Sequence, residues 1–203
     1  MSTKPFEVVA QPYTLYLAPV GTTFPDIDAT PSAPWVKVGT SGDLNYDQAG
    51  VKVIHKQKIE LWRALGSAGP RKAFRTEEEL NITLTLVDLT LEEYANALNF
   101  QSVSTTPAGV GAAGYKSFEL SRGLEMPLHA LLVRGAGASP YGDGWAVQYQ
   151  VPVVVSTGDP DVIFVKGKPA GLALEFQALE DPDASPVTER FGTLVAQNAD
   201  ATT

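Results

Sequence analysis

The residues able to do chemistry are few and scattered along this chain. Two histidines, His55 and His129, lie far apart in sequence, and no cysteine accompanies them. A metal centre would therefore have to gather carboxylates around one imidazole, and a solitary histidine is more often a satisfied structural residue than a ligand. The absence of cysteine excludes a thiolate nucleophile, a thiolate metal site and a disulfide framework. Gly109-Val-Gly111-Ala-Ala-Gly114 spells the dinucleotide fingerprint. That fingerprint holds a pyrophosphate only when a strand feeds it and a helix N-terminus follows. Here the following residues, Tyr115–Leu120, read as a strand, so the run is expected to be a loop. Asp26 with Asp28, and Asp159 with Asp161, lack the glycine and distal glutamate that complete a calcium loop. Asn81-Ile-Thr83 matches a glycosylation acceptor, which carries little weight without a secretory signal. There is no Gly-x-Ser-x-Gly elbow and no P-loop. The reading is that the chain is not an enzyme: no catalytic residue, no metal ligand and no cofactor is expected.

The elements that would position any site are strands. Among 203 residues, 18 glycines and 15 prolines punctuate the chain every ten residues or so, a spacing that suits short strands and turns and is hostile to long helices. Period-two alternation predicts strands at Tyr13–Ala18, Trp35–Val38, Val51–Arg63 and Glu79–Asp88. Of these, Glu79–Asp88 is the cleanest, with Leu80, Ile82, Leu84 and Leu86 on one parity and polar residues on the other. Further strands are expected at Tyr115–Leu120, Met126–Val133, Ala146–Val155, Val162–Val165, Gly171–Ala178 and Arg190–Val195. One helix is signalled over 90–99, with Thr90 as N-cap and Glu93 reaching back to its N–H as in a capping box. The expected fold is mainly β: one antiparallel sandwich or barrel domain over 1–203, with one flanking helix and long loops. Residues 1–12 read as an extended arm, 64–75 as a long mobile loop and 197–203 as a polar tail. No apolar run is long enough to cross a bilayer, so no membrane insertion is expected, and the absence of an apolar leader points to synthesis in a cytoplasm.

Charge is unevenly placed. The net charge is -8, which disfavours nucleic-acid binding by the protein as a whole, yet seven of the fifteen basic residues fall within 52–75. That basic segment also carries Trp62, Leu65 and Phe74, and aromatics beside charges are typical of interfaces. Lys56, Lys58, Trp62, Arg63, Leu65, Arg71, Lys72, Phe74 and Arg75 are therefore the candidate subunit interface. A basic patch meeting a different, acidic patch on the next copy is a heterologous contact, which closes rings or builds filaments.

The order Leu15-Tyr-Leu-Ala-Pro-Val-Gly-Thr22 followed by Trp35-Val-Lys-Val-Gly39 resembles the opening of the major tail tube proteins of long, non-contractile bacteriophage tails. The likeness continues through the strand from Val51 and its long loop, through Asp88-Leu-Thr-Leu-Glu-Glu-Tyr-Ala-Asn-Ala-Leu98, and returns at Pro169-Ala-Gly-Leu-Ala-Leu-Glu-Phe-Gln-Ala-Leu-Glu-Asp181. It covers most of the chain as order and style rather than as one diagnostic motif. The resemblance implies a virion protein, assembled in the host bacterial cytoplasm. Six subunits would form a ring whose inner sheets join into a barrel, and rings would stack into a tube for genome delivery. Implied partners are further copies of the chain, a tape measure protein, and tail terminator and tip proteins. Double-stranded DNA would pass without specific binding. Polar strand faces at Glu79, Asn81, Thr83, Thr85, Gln148, Gln150, Glu175 and Gln177 are the candidate lumen lining. Related folds include contractile-tail inner tubes and the type VI secretion tube protein, and a type VI secretion-like tube protein is an alternative reading. The competing readings are a monomeric β-sandwich that binds a carbohydrate or receptor, and a hydrolase built on Asp/Glu pairs, whose spacing nothing in the sequence supports. The binding module would need Trp35, Trp62 and Trp145 on one exposed platform to stack sugar rings.

Overall fold

In the computed structural model, which describes residues 7–98 and 100–201, the alternating run around Leu80–Leu86 is the inner half of a much longer strand. The elements in chain order are β1 (Thr14–Pro19), β2 (Val36–Lys37), β3 (Lys52–Trp62), β4 (Lys72–Leu86), α1 (Leu91–Ala97), β5 (Ser104–Thr106), β6 (Tyr115–Ser117), β7 (Leu128–Gly135), β8 (Val147–Ser156), β9 (Leu172–Ala178) and β10 (Thr193–Ala196). The main sheet runs β2-β1-β7-β8-β9-β4-β3, with β10 also on β8, and every pairing is antiparallel. β5 and β6 pair apart from it. The fold is thus the mainly antiparallel β architecture with one helix that the sequence predicts.

The sheet turns over at β8. One edge of this strand follows β7, while the other pairs first with β10 through Val147–Gln150 and then with β9 through Val154–Ser156. Pro152 and Val153 stand opposite Ala130 alone, a bulge in which a residue without an N–H costs no ladder bond. Gly192 leads into β10 at φ 107°, and a Cβ there would lie 2.0 Å from the Gln150 carbonyl oxygen, so only glycine lets the strand approach. With the sheet folded over, Leu15 and Leu17 of β1, Leu131 and Val133 of β7, Leu80, Ile82, Leu84 and Leu86 of β4, and Leu172, Leu174 and Phe176 of β9 share one core. Each such buried side chain stabilises by about 1.5–3 kcal/mol before entropy is counted. Tyr46 ties the two halves together, since its hydroxyl accepts the Leu15 N–H at 3.0 Å and donates to the Val38 carbonyl at 2.9 Å, and its backbone bridges to Leu86. Burial raises the Tyr46 phenol well above its ordinary value.

Several expectations are corrected. Lys72–Arg75 belong to β4, in register with Ile59–Trp62, so the loop expected over 64–75 shrinks to 63–71. Cross-strand pairing decides this, and it is invisible to local pattern. Val162–Val165 forms no strand and pairs with none of the described strands; local preference for a strand is not enough without a partner to complete the ladder. Residues 101–114, rich in Ser, Thr, Gly and Ala, read as a loop, but Ser104–Thr106 within them is β5, and the glycine-rich run sits in the turn joining it to β6, with Gly109 bridged to Ala112. Thr90 does cap α1, accepting the Glu93 N–H at 3.4 Å, but the reciprocal arm differs: the Thr90 N–H goes to Asp88 Oδ1, and Glu93 Oε1 instead accepts the Gly39 N–H at 2.9 Å. The polar tail is docked at its start, where the Gln197 N–H and side chain bond Ala146 and the Gln197 carbonyl accepts from Ser139. The first six residues of the arm, the helix stop expected at Asn99 and the last two residues of the tail lie outside the described residues. Among the described residues, no helix is long and apolar enough to cross a membrane.

Candidate assembly surface

β3 and β4 begin inside the fold and leave it. Val53 pairs with Ile82 and His55 with Leu80, on the core-facing side; beyond them both strands are exposed, so 56–62 and 72–79 make a two-stranded ribbon uncovered on both faces. An isolated two-stranded hairpin is marginally stable in water, so a ribbon of this length gains from a further surface to rest on.

The ribbon has two zones. In its stem the charges cancel across the strands. Lys58 Nζ lies 2.8 Å from Glu77 Oε1 and Lys56 Nζ 3.9 Å from Glu79 Oε2, while Arg75 donates to Gln57 and to Glu78. Register requires this, since Lys56 pairs with Glu79 and Lys58 with Glu77. The basic stretch read from the sequence is therefore neutralised at its base by acids that follow it in the chain. Thr76 is the extra residue of a bulge between these pairs and the next, and its hydroxyl donates to the Lys58 carbonyl at 3.3 Å.

Past the bulge the ribbon turns apolar. Ile59 and Leu61 lie on the face that continues the core side, and Trp62 and Phe74 on the other, with the Lys72 ammonium 5.0 Å from the Phe74 ring centre. All are exposed: Trp62 by 53%, Leu61 by 55%, and Leu65 in the connecting loop fully. Arg63 and Arg71 flank them. The nine predicted interface residues are thus on one projecting element, six of them near its apolar tip, and Ile59 and Leu61 join them. The alternation of Val53, Ile59 and Leu61 on one parity was the available sign, but it reads as burial until the pairing shows that none of the described residues covers the last two.

The predicted lining residues divide. Asn81 pairs with Gln177 and Thr83 with Glu175, so Glu79, Asn81, Thr83, Thr85, Glu175 and Gln177 share the outer face of β4 and β9, but Asn81 is buried under its neighbours and, in the single chain, offers no lining surface. Lys52 and Lys56 stand on the same face, opposite Thr83 and Glu79. Gln148 and Gln150 belong elsewhere. They flank Arg134 and Leu132 on the outer face of β7 and β8, which the proline-rich loop 20–34 covers with Phe24 and Trp35. Gln148 is wholly buried there: its Oε1 accepts from Arg134 at 2.8 Å and its amide donates to the Pro25 carbonyl at 2.8 Å. It cannot line a channel, because its own chain seals it.

The remaining chemical candidates stay apart. His129 stacks on Phe100 at 3.8 Å, and burial lowers its basicity, whereas His55 sits exposed at the ribbon root. Among the described residues no group of histidines and acids is arranged to hold a metal ion. The tryptophans form no platform. Trp35 is buried with its N–H on the Thr23 carbonyl, Trp145 donates to Asp200, and only Trp62 is largely exposed. No protein-family model matches this chain, and no curated protein matches it.

Proposed function

We propose that this chain is the repeating structural subunit of a bacteriophage tail tube, in which six copies close a ring and rings stack into a conduit for the genome. One observation carries the reading: a β-ribbon leaves the core with a charge-balanced stem and an apolar, basic tip that none of the described residues covers. A cover supplied by a neighbouring copy satisfies it. The ribbon together with its root, residues 52–79, holds seven basic and four acidic residues, so the rest of the chain sums to -11. A cationic tip is drawn to an anionic body, and because tip and body are different surfaces, the contact propagates instead of closing as a dimer. The outer face of β4 and β9, mixed in charge and rich in hydroxyls and amides, suits a lumen wall that must let DNA slide without gripping phosphate. The scattering of the tryptophans removes the main support for a sugar-binding module.

The test is assembly. Purified protein taken from micromolar to millimolar concentration should sediment as increasing oligomers and show rings or hollow tubes by negative-stain microscopy. Replacing 63–71 with Asn-Gly should leave a folded monomer that no longer assembles. A single monomeric species at every concentration and salt, and on co-expression with other tail proteins, would refute the reading.

A further inference from the structure

The chain leaves a second apolar run uncovered. Between β8 and β9, residues 157–171 form no helix or strand, although Val162-Ile-Phe-Val165 is wholly β-branched or aromatic. Val162 packs on the core, while Ile163, Phe164 and Val165 are exposed by 62%, 78% and 52%. A segment whose local preference is strand, held in the open without a ladder, is in conflict with its surroundings unless a partner strand arrives. The main sheet offers the complementary deficiency. β3 is its terminal strand, so among the described residues one rank of N–H and C=O groups has no strand partner from Lys52 to Trp62. The inner half of that edge is guarded by Lys52, Lys56 and Lys58, a usual defence against strand addition, whereas the outer half carries Ile59, Leu61 and Trp62.

We infer that Asp161–Val165 of one copy adds as an antiparallel strand to the outer half of β3 in another copy. This rests on the self-assembly reading and specifies one of its contacts. Charge and pattern choose the register. With Asp161 opposite Arg63, Ile163 falls opposite Leu61 and Val165 opposite Ile59, and these residues share one face, so an apolar ladder ends in an ion pair. Val162 stays on its own core, and exposed Phe164 falls on the other face, opposite Glu60 and beside Trp62 and Phe74. The turn beginning at Lys166 ends the added strand before it reaches Lys58. Main-chain bonds supply affinity and alternate side chains supply selectivity, as in strand addition generally.

The chain has no cysteine, so single cysteines report cleanly. Leu61→Cys and Ile163→Cys proteins, one isotopically heavy, are mixed and oxidised, and mass spectrometry separates the mixed disulfide from either homodimer. Both positions are exposed, so folding is retained, as circular dichroism verifies. The mixed disulfide should dominate, and Leu61→Cys with Leu124→Cys should give none. Asp161→Lys should raise the concentration needed for assembly about tenfold, and adding Arg63→Asp should restore it. Tubes without the mixed disulfide would overturn this docking and leave the tube reading intact. The mixed disulfide without rings or tubes would support the docking and count against the tube. A disulfide formed only within one doubly substituted chain would also overturn it.

Discussion

Two regions of this molecule carry a tryptophan beside an arginine and treat them in opposite ways. On the outer face of β7 and β8, the loop 20–34 folds back over the sheet. Arg134 there donates to the Asp26 and Ile27 carbonyls and to Gln148, and Trp35 is 7% exposed. On the ribbon, Trp62 is 53% exposed, and Arg63 and Arg71 lie in an open loop. The same residue types serve stability in the first region because the chain provides their cover. In the second they contribute little to the isolated chain, and any stabilisation they offer waits for another surface. Substitutions should therefore separate folding from assembly.

The sharpest separation pits the two tryptophans against each other. Trp35→Ala should cost about 3–5 kcal/mol of folding stability, as large buried aromatics do, measured by urea unfolding. Trp62→Ala should leave the unfolding midpoint within about 0.5 kcal/mol of the parent while raising the concentration needed for assembly at least about tenfold. Equal losses of stability in both would dissolve the contrast. Next, Gln148→Leu should cost about 2 kcal/mol, because Arg134 and the Pro25 carbonyl each lose a buried partner; an unchanged midpoint would show the loop is not held there.

A smaller effect is expected at the junction of α1 with the loop after β2. Glu93 is 7% exposed, its Oε2 finds no hydrogen-bond partner among the described residues, and burial raises its carboxyl above the ordinary range against the opposing bonds from Gly39 and Asn96. A carboxyl whose folded-state value is raised favours folding in acid, and that contribution fades as pH climbs through the raised value. Glu93→Gln should therefore raise the melting temperature at pH 7 by about 2–4 °C, and the gain should vanish near pH 4. A gain independent of pH would assign the effect to packing. Nearby Asp88 behaves oppositely: burial pushes its carboxyl up, but bonds from Thr40 and Thr90 outweigh this and hold it low. Smallest of all, Lys58→Ala in the ribbon stem should leave the melting temperature unchanged, since the pair with Glu77 is open to solvent and screened.

Much of this was determined by the sequence alone. Alternation at Leu80–Leu86, glycine and proline spacing, and Thr90 ahead of an apolar stripe fix strand parity and helix start through local geometry, which a side chain carries with it wherever it goes. The crowding of aromatics and charges into one stretch was legible, and pairing placed that stretch on one projecting ribbon. What the tertiary structure decided depends on neighbours distant in sequence. Whether Lys56 and Lys58 remain bare or meet Glu79 and Glu77 depends on register, and whether Gln148 faces a channel or a proline-rich loop depends on which strand lies beside β8. Val162–Val165 shows the limit from the other side: its residues prefer a strand, but a strand exists only where another supplies the hydrogen bonds.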